Sequence, residues 1–222
     1  MTTVLDDEDK TVFTFAELSP RAKERARDWW RECESQDNTF AECVIEDAER
    51  VADLLGVEFE ENENSCQTVG IGGETCYEPA IYWALHTQGA GACFEGTWRT
   101  KEGCYLAVKE YAPTDEELHD IALRLALAEW PGPYNLSVKA VHRGREYHEQ
   151  SMDFEVYHDE TDEELDESGE HAAEAVKGAL RDFATWIHRQ IEDAYDWTMS
   201  DEHVDENIEA NEYEFDEDGR IL

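Results

Sequence analysis

Apolar residues recur at intervals of three and four over four segments of the chain, and this spacing predicts amphipathic helices. The segments are residues 21–33, 40–55, 114–130 and 168–199. A shorter helix is predicted from Ser200, a suitable N-cap residue, to Ala210. The 168–199 segment holds the longest unbroken pattern, which predicts one long C-terminal helix.

Short runs of aromatic and aliphatic residues alternate with these segments and predict strands. The stretch Ile81–Gly96 is the least acidic part of the chain, with Glu95 as its only charged residue. It predicts two strands joined by a glycine turn at 88–91, at the centre of an antiparallel sheet that continues from Thr97 to Cys104. Further strands are predicted at 12–15, 57–60, 66–71, 136–140, 147–157 and 213–215.

Together these elements predict an α+β fold, in which a central antiparallel sheet is flanked by helices. The whole chain, residues 1–222, is long enough for one substantial core, and a single domain is predicted. Residues 1–10 are acidic and are expected to fray. Residues 158–170 are mostly acidic, and we expect a solvated loop that leads into the long helix.

The charge adds a strong constraint on partners. The chain has 56 acids and 18 bases, a formal net charge of −38. Residues 151–222 alone hold 25 acids and four bases. Such a surface repels nucleic acid and anionic membranes and attracts basic proteins. Adaptation to high salt is an alternative explanation of the same acidity.

The densest acids, with the aromatic residues beside them, are the candidate partner-binding residues, although most charge runs are simply solvated faces. The first group is Asp159, Glu160, Asp162, Glu163, Glu164, Asp166 and Glu167. The second group is Asp201, Glu202, Asp205, Glu206 and Glu209. The aromatic residues are Tyr157, Trp197 and Tyr213.

Catalysis is not favoured by the motifs in the chain, and no catalytic residue, metal or cofactor is predicted. No Ser-His-Asp signature, His-Glu-x-x-His helix or glycine-rich nucleotide loop is present. His86 and His188 are the histidines placed to act as a base, but a lone histidine on an apolar face is usually packed. Clustered acids suit Mg²⁺, yet a nuclease also needs cations to receive its substrate. The six cysteines form no Cys-x-x-Cys pair, which favours reduced thiols.

Three stretches resemble a family of bacteriophage and prophage proteins that are labelled as antitoxin-like or toxin-antitoxin stability proteins. They are Phe15–Ala26, Gln88–Gly96 and the segment from Trp186 through Asp196 to Gly219. Where the family typically has Gly-Asp-Gly, this chain has Ala90 in place of the acid. The resemblance implies a phage or mobile-element origin and an α+β fold, without implying an enzyme.

From these observations we expect a phage-derived acidic inhibitor, which mimics DNA and occupies the basic surface of a host CRISPR or restriction complex. An antitoxin that neutralises one toxin protein is the alternative. The chain has no apolar run of about 20 residues and no basic start of a signal peptide. We therefore expect it to act in the cytoplasm of a bacterial host, without contacting a membrane or nucleic acid directly.

Overall fold

The computed structural model describes residues 12–34, 38–62, 67–69, 74–76, 78–85, 89–128, 136–158 and 167–222. Within these ranges the helices are α1 (Pro20–Glu34), α2 (Glu42–Leu55), α3 (Cys104–Tyr111), α4 (Glu116–Leu127), α5 (Glu167–Thr198) and α6 (Asp201–Ala210). The strands are β1 (Phe13–Thr14), β2 (Val57–Phe59), β3 (Gln67–Val69), β4 (Glu74–Cys76), β5 (Ile81–Ala84), β6 (Gly91–Phe94), β7 (Gly96–Arg99), β8 (Leu136–His142), β9 (Met152–His158) and β10 (Glu214–Phe215). All strand pairs are antiparallel. The α+β class and the long C-terminal helix are thereby confirmed.

The chain forms two compact units. The first takes Met1–Glu42 and Asp193–Leu222, and the second takes Cys43–Glu192. The single domain predicted over 1–222 stays a prediction.

In the first unit, α1 and α6 bury their apolar faces against each other and against the β1–β10 pair. Phe13 pairs with Phe215, and Thr14 with Glu214. The buried residues are Phe15, Leu18, Ala22, Ala26, Trp30, Val204, Ile208 and Phe215. Gly219 has a φ of +81° and lies against the backbone of Ala22. Glycine is the residue that adopts this φ without strain, and a Cβ at this position would overlap α1.

The second unit is built on a four-stranded sheet in the order β2-β7-β8-β9. Phe59 of β2, Phe94 of β6 and Phe183 of α5 form an aromatic cluster, with ring centroids 5.2 to 6.3 Å apart. The Trp98 indole donates a hydrogen bond to the Leu55 carbonyl, which ties β7 to the end of α2.

The hairpin at Ile81–Gly96 forms as predicted, but its position in the sheet differs. β5 and β6 pair only with each other in a two-stranded sheet, and β7 enters the four-stranded sheet after Glu95. Glu95 donates its backbone N–H to Ala80 and accepts from Glu60, so the ladder is interrupted at this residue. The hairpin therefore lies beside the sheet, and the strand that follows it lies within the sheet.

Three element boundaries predicted from the sequence are wrong. The sheet does not continue to Cys104, because β7 ends at Arg99 and α3 begins at Cys104 after Gly103. The helix α4 begins at Glu116 instead of residue 114, because the Asp115 carboxylate caps it by accepting the N–H of Leu118. The strand predicted from 147 begins at Met152, after a single 3-10 turn.

Candidate functional site

The predicted acids of the second group lie on α6, which begins after the N-cap Ser200. The Ser200 hydroxyl accepts a hydrogen bond from the N–H of His203, as the sequence predicts. Residues three and four apart share a helix face, so these acids lie along one side of α6, and their ion pairs and exposure divide them into two rows. Asp201 and Asp205 form one row, and Glu202, Glu206 and Glu209 form the other.

The Asp201 and Asp205 row faces α1 and is neutralised there. The Arg27 guanidinium contacts both carboxylate oxygens of Asp205, at 2.6 and 2.7 Å. Arg31 binds Asp201 and donates to the Met199 carbonyl at 3.0 Å. The hydrogen bond that Arg27 donates to Asp205 is the main reason that the pKa of Arg27 is raised above its ordinary value. These two acids therefore join α6 to α1.

The other row, Glu202, Glu206 and Glu209, is exposed to solvent. None of the three forms an ion pair with another residue in the described part of the chain. Their i, i+4 and i, i+7 spacing places like charges about 6 and 10 Å apart along the helix axis. Like charges at the i, i+4 spacing destabilise a helix by about 0.2–0.5 kcal/mol per pair. This row, which we call the α6 outer row, is available to a basic partner.

The three predicted aromatic anchors occupy different environments. Trp197 has 53% of its surface exposed, and its ring lies 5.4 Å from that of His203 near the start of α6. Tyr213 is half-buried and packs edge-on against Trp29 at 5.2 Å, as part of the first unit's core. Tyr157 is exposed on β9 of the second unit. Of the three, Trp197 is the exposed aromatic residue in the unit that carries the α6 outer row.

Most of the first acidic group lies outside the described residues, namely Asp159, Glu160, Asp162, Glu163, Glu164 and Asp166. The remaining member, Glu167, is the exposed first residue of α5.

A second cluster of reactive side chains, which the sequence did not predict, lies in the second unit around His142. The Nδ1 of His142 is 3.4 Å from the Cys93 sulfur and 3.1 Å from the Ser151 hydroxyl. The rings of Tyr82 and Tyr147 lie 5.6 and 5.4 Å from the imidazole. Because these residues come from β5, β6, β8 and the segment before β9, no local sequence motif indicates the cluster.

The thiol of Cys93 is buried within this cluster. Cys93 has 0% of its surface exposed. Burial raises the pKa of the Cys93 thiol to about 11, with the Glu95 carboxylate as a further cause. The thiol is therefore protonated at neutral pH, whereas a cysteine nucleophile needs an accessible thiolate. The arrangement is that of a packed polar cluster.

We expect this protonation state to appear in thiol chemistry. With iodoacetamide at pH 8, Cys33 and Cys43 should be alkylated readily because they are exposed. Cys93 should react at least about 100-fold more slowly, because burial limits both its thiolate fraction and its access to reagent. Timed alkylation followed by peptide mass spectrometry measures the two classes. Unfolding in urea should make the rates equal, and rapid alkylation of native Cys93 would contradict the assignment.

Of the two histidines that the sequence places as candidate bases, His188 lies within the described residues. His188 is mostly buried, and its Nε2 donates to the Ala84 carbonyl at 3.1 Å, while Nδ1 lies 3.4 Å from Glu192. It is a packed residue with both nitrogens engaged. His86 lies outside the described residues.

Two further features concern metals and membranes. Within the described ranges, no group of three or more His, Cys, Asp or Glu side chains is arranged to hold a metal ion. Among the helices described above, none is both long and apolar enough to cross a membrane.

Comparison with known proteins identifies the family of this chain. The chain belongs to the family described as Domain of unknown function (DUF8835), which covers residues 40–201. No curated protein matches the chain, and no solved structure matches it. The family description assigns no activity.

Proposed function

We propose that this protein is an acidic binding protein that occupies the basic surface of a nucleic-acid-binding partner. The observation that carries the proposal is the division of the α6 acids. Arg27 and Arg31 neutralise Asp201 and Asp205, but the α6 outer row keeps its charge despite the repulsion within it. Residues 193–222, which carry this row, contain twelve acids and one base, Arg220.

Physical chemistry favours a partner that normally grips phosphates. Duplex DNA presents about one negative charge per 1.7 Å of helix axis, and its partners bind it with lysine and arginine. A helix with carboxylates about 6 Å apart offers these cations a fixed negative surface. The exposed Trp197 supplies an apolar anchor in the same unit, and buried aromatic anchors contribute much of the energy in protein interfaces.

We further propose that the partner is a host defence complex of the CRISPR or restriction type, met in the cytoplasm of a bacterial host. The resemblance to bacteriophage proteins supports this choice, because an invading genome benefits when such a complex cannot hold DNA. The predicted acids at 159–166 belong to this proposal as a second contact region.

A capture experiment tests the proposal. The tagged protein, incubated with host lysate at about 50 mM salt, is expected to retain nucleic-acid-binding proteins and to release them at about 500 mM salt. Added duplex DNA should displace them, because both ligands use one basic surface. Changing the α6 outer row (Glu202→Gln, Glu206→Gln and Glu209→Gln together) should weaken capture by at least about tenfold.

The matched control changes three exposed acids of the second unit to glutamine, namely Glu102, Glu110 and Glu116, with the same change of net charge. It should capture partners as the unchanged protein does. Equal losses in both variants would show attraction to net charge alone, and binding that resists DNA would contradict the proposed surface. A single small partner that resists salt would indicate the antitoxin function, and an empty capture would indicate salt adaptation.

A further inference from the structure

An open strand edge borders the four-stranded sheet of the second unit. β2 is the first strand of the sheet and pairs with β7 on one side. The N–H of Arg99 donates to Gly56, and that of Glu60 donates to Glu95. Since hydrogen-bonded pairs alternate along an antiparallel ladder, Glu58 also faces β7, and Val57 and Phe59 direct their N–H and C=O groups away from it.

The same alternation continues past the end of β2. Ala80 donates to Glu60, and Asn62 donates to Glu78, while Glu61 sits opposite Pro79 without these bonds. Val57, Phe59 and Glu61 therefore present three N–H and three C=O groups on the outer edge. No backbone group from the described residues pairs with this edge.

The edge borders a groove of about 640 Å³, which is lined by every residue from Gly56 to Glu61 and by the end of α2. Its charged residues are mostly acids: Glu49, Asp53, Glu58, Glu60, Glu61 and Glu78, against Arg99 and Lys101. Lys101 pairs with Asp53, and Lys139 pairs with Glu60 at 2.8 Å. Glu58 and Glu61 form no ion pair within the described part of the chain.

Acidic side chains outnumber basic side chains along the groove, so the local electrostatic potential is negative. Burial, together with the neighbouring Glu46, raises the pKa of Glu49 on the α2 side of the groove. A further cation in the groove would relieve both this repulsion and the unpaired charge of Glu58 and Glu61.

The charge also decides which strand can pair with this edge. A second copy paired antiparallel about Phe59 would set Glu58 opposite Glu60 of the other copy, and like charges on paired strands are destabilising. Acidic side chains on an edge are one way in which proteins prevent self-pairing. The same side chains attract an extended segment that carries lysine or arginine.

We propose that the outer edge of Val57–Glu61 binds an extended, Lys/Arg-rich peptide segment of a partner protein by adding it as a strand to the sheet. The three pairs of outward backbone groups supply the main-chain hydrogen bonds. From residue 57 to residue 61 the edge spans about 14 Å, the length of five residues of the added strand. Basic residues of the added strand would lie beside Glu58 on one face of the sheet and beside Glu61 on the other, since successive side chains of a strand point to opposite faces.

The probe is a fluorescein-labelled octapeptide with lysine at its four central positions and valine at the others, so that both faces of the added strand carry lysine. It is added to the full chain at about 100 mM salt. The double change Glu58→Gln and Glu61→Gln is expected to raise the dissociation constant by about tenfold. The same change of charge at Glu202 and Glu206, on the α6 outer row, should leave the constant unchanged. Equal weakening in the two double variants would overturn the proposal, because it would show general attraction to an acidic protein.

A second pair of variants tests the backbone contact. Glu61→Gln removes the charge alone, whereas Glu61→Pro also removes an outward N–H that β7 does not use. The proline variant should bind the peptide about fivefold more weakly than the glutamine variant. Equal affinities would mean that the edge does not pair with the peptide.

Hydrogen exchange gives an independent readout on the unchanged protein. Added peptide should slow exchange of the Val57, Phe59 and Glu61 amides and should not alter those of α6. Protection that is absent at these three amides would overturn the proposal even if the peptide binds. This inference does not depend on the function proposed above, since its contacts lie in the second unit and its failure leaves the α6 outer row untouched.

Discussion

Replacing Phe183 with alanine is expected to lower the free energy of unfolding by about 4 kcal/mol. Phe183 is fully buried, and its ring stacks with Phe59 at 6.3 Å and with Trp186 at 5.9 Å. It also meets Phe94 edge-on at 5.9 Å. Alanine would remove the ring on which α5 and strands β2 and β6 converge, and the surrounding rings could close the space only in part.

Urea denaturation followed by far-UV circular dichroism measures this loss. Leu127→Ala is the control, because Leu127 has 58% of its surface exposed and lies in the same unit. It should change the free energy by no more than about 0.5 kcal/mol. Similar small losses in both variants would show that the aromatic cluster is less important than its burial implies.

Changing Gly219 to alanine is expected to destabilise the first unit by about 3 kcal/mol. One part of the cost is the φ of +81°, which residues with a Cβ rarely adopt. The other part is a collision, because the new Cβ would lie 2.9 Å from the Cα of Ala22 and nearer still to its carbonyl group. Backbone atoms of a helix cannot move aside as the end of a flexible side chain can.

The variant Gly103→Ala separates the cost of the positive φ from the cost of the Cβ collision. Gly103 has a φ of +76°, but no atom lies within 4 Å of a Cβ built there, so this variant should lose only about 1–2 kcal/mol. Hydrogen exchange of the Ala22 and Ala26 amides reports on the first unit in the Gly219 variant. Slow exchange that matches the unchanged protein would mean that the Asp216–Gly219 turn moves away without cost.

The sequence predicted those parts of the fold that local patterns control. The helical spacing of α1, α2 and α6 and the Ser200 cap all depend on residues within a few positions of one another. By contrast, α3 was missed because residues 104–108 form a short continuous apolar run, which periodicity alone cannot assign to a strand or to a helix. The left-handed φ of Gly103 starts a helix there instead.

The cap of α4 shows a second kind of failure. Thr114 and Asp115 are both good cap residues, and Thr114 has a glutamate three positions on. Asp115 takes the role because its second carboxylate oxygen accepts the indole N–H of Trp186 at 2.8 Å. That contact joins residues 71 positions apart, so no local rule could choose between the two.

The candidate surface on α6 was predictable only in part, because local patterns place its acids on the helix but do not determine their ion pairs. Acidity and helical spacing placed five acids on α6, but the sequence treated them as one band. Which acids are neutralised depends on Arg27 and Arg31, which meet α6 only in the folded chain. The open edge of β2 was beyond prediction, because the order of strands in the sheet follows from pairings between distant segments.

The pairing of β1 with β10 has a consequence for how the chain is made. Phe13 meets Phe215 only after almost the whole chain has been synthesised. At about 5–20 residues per second, α1 waits roughly 10 to 40 s between its own synthesis and that of β10. During that interval the apolar face of α1, with Trp30, lacks its native cover from α6 and β10. Nascent chains are therefore expected to be most vulnerable to aggregation and proteolysis at α1, and folding of the first unit is limited by translation.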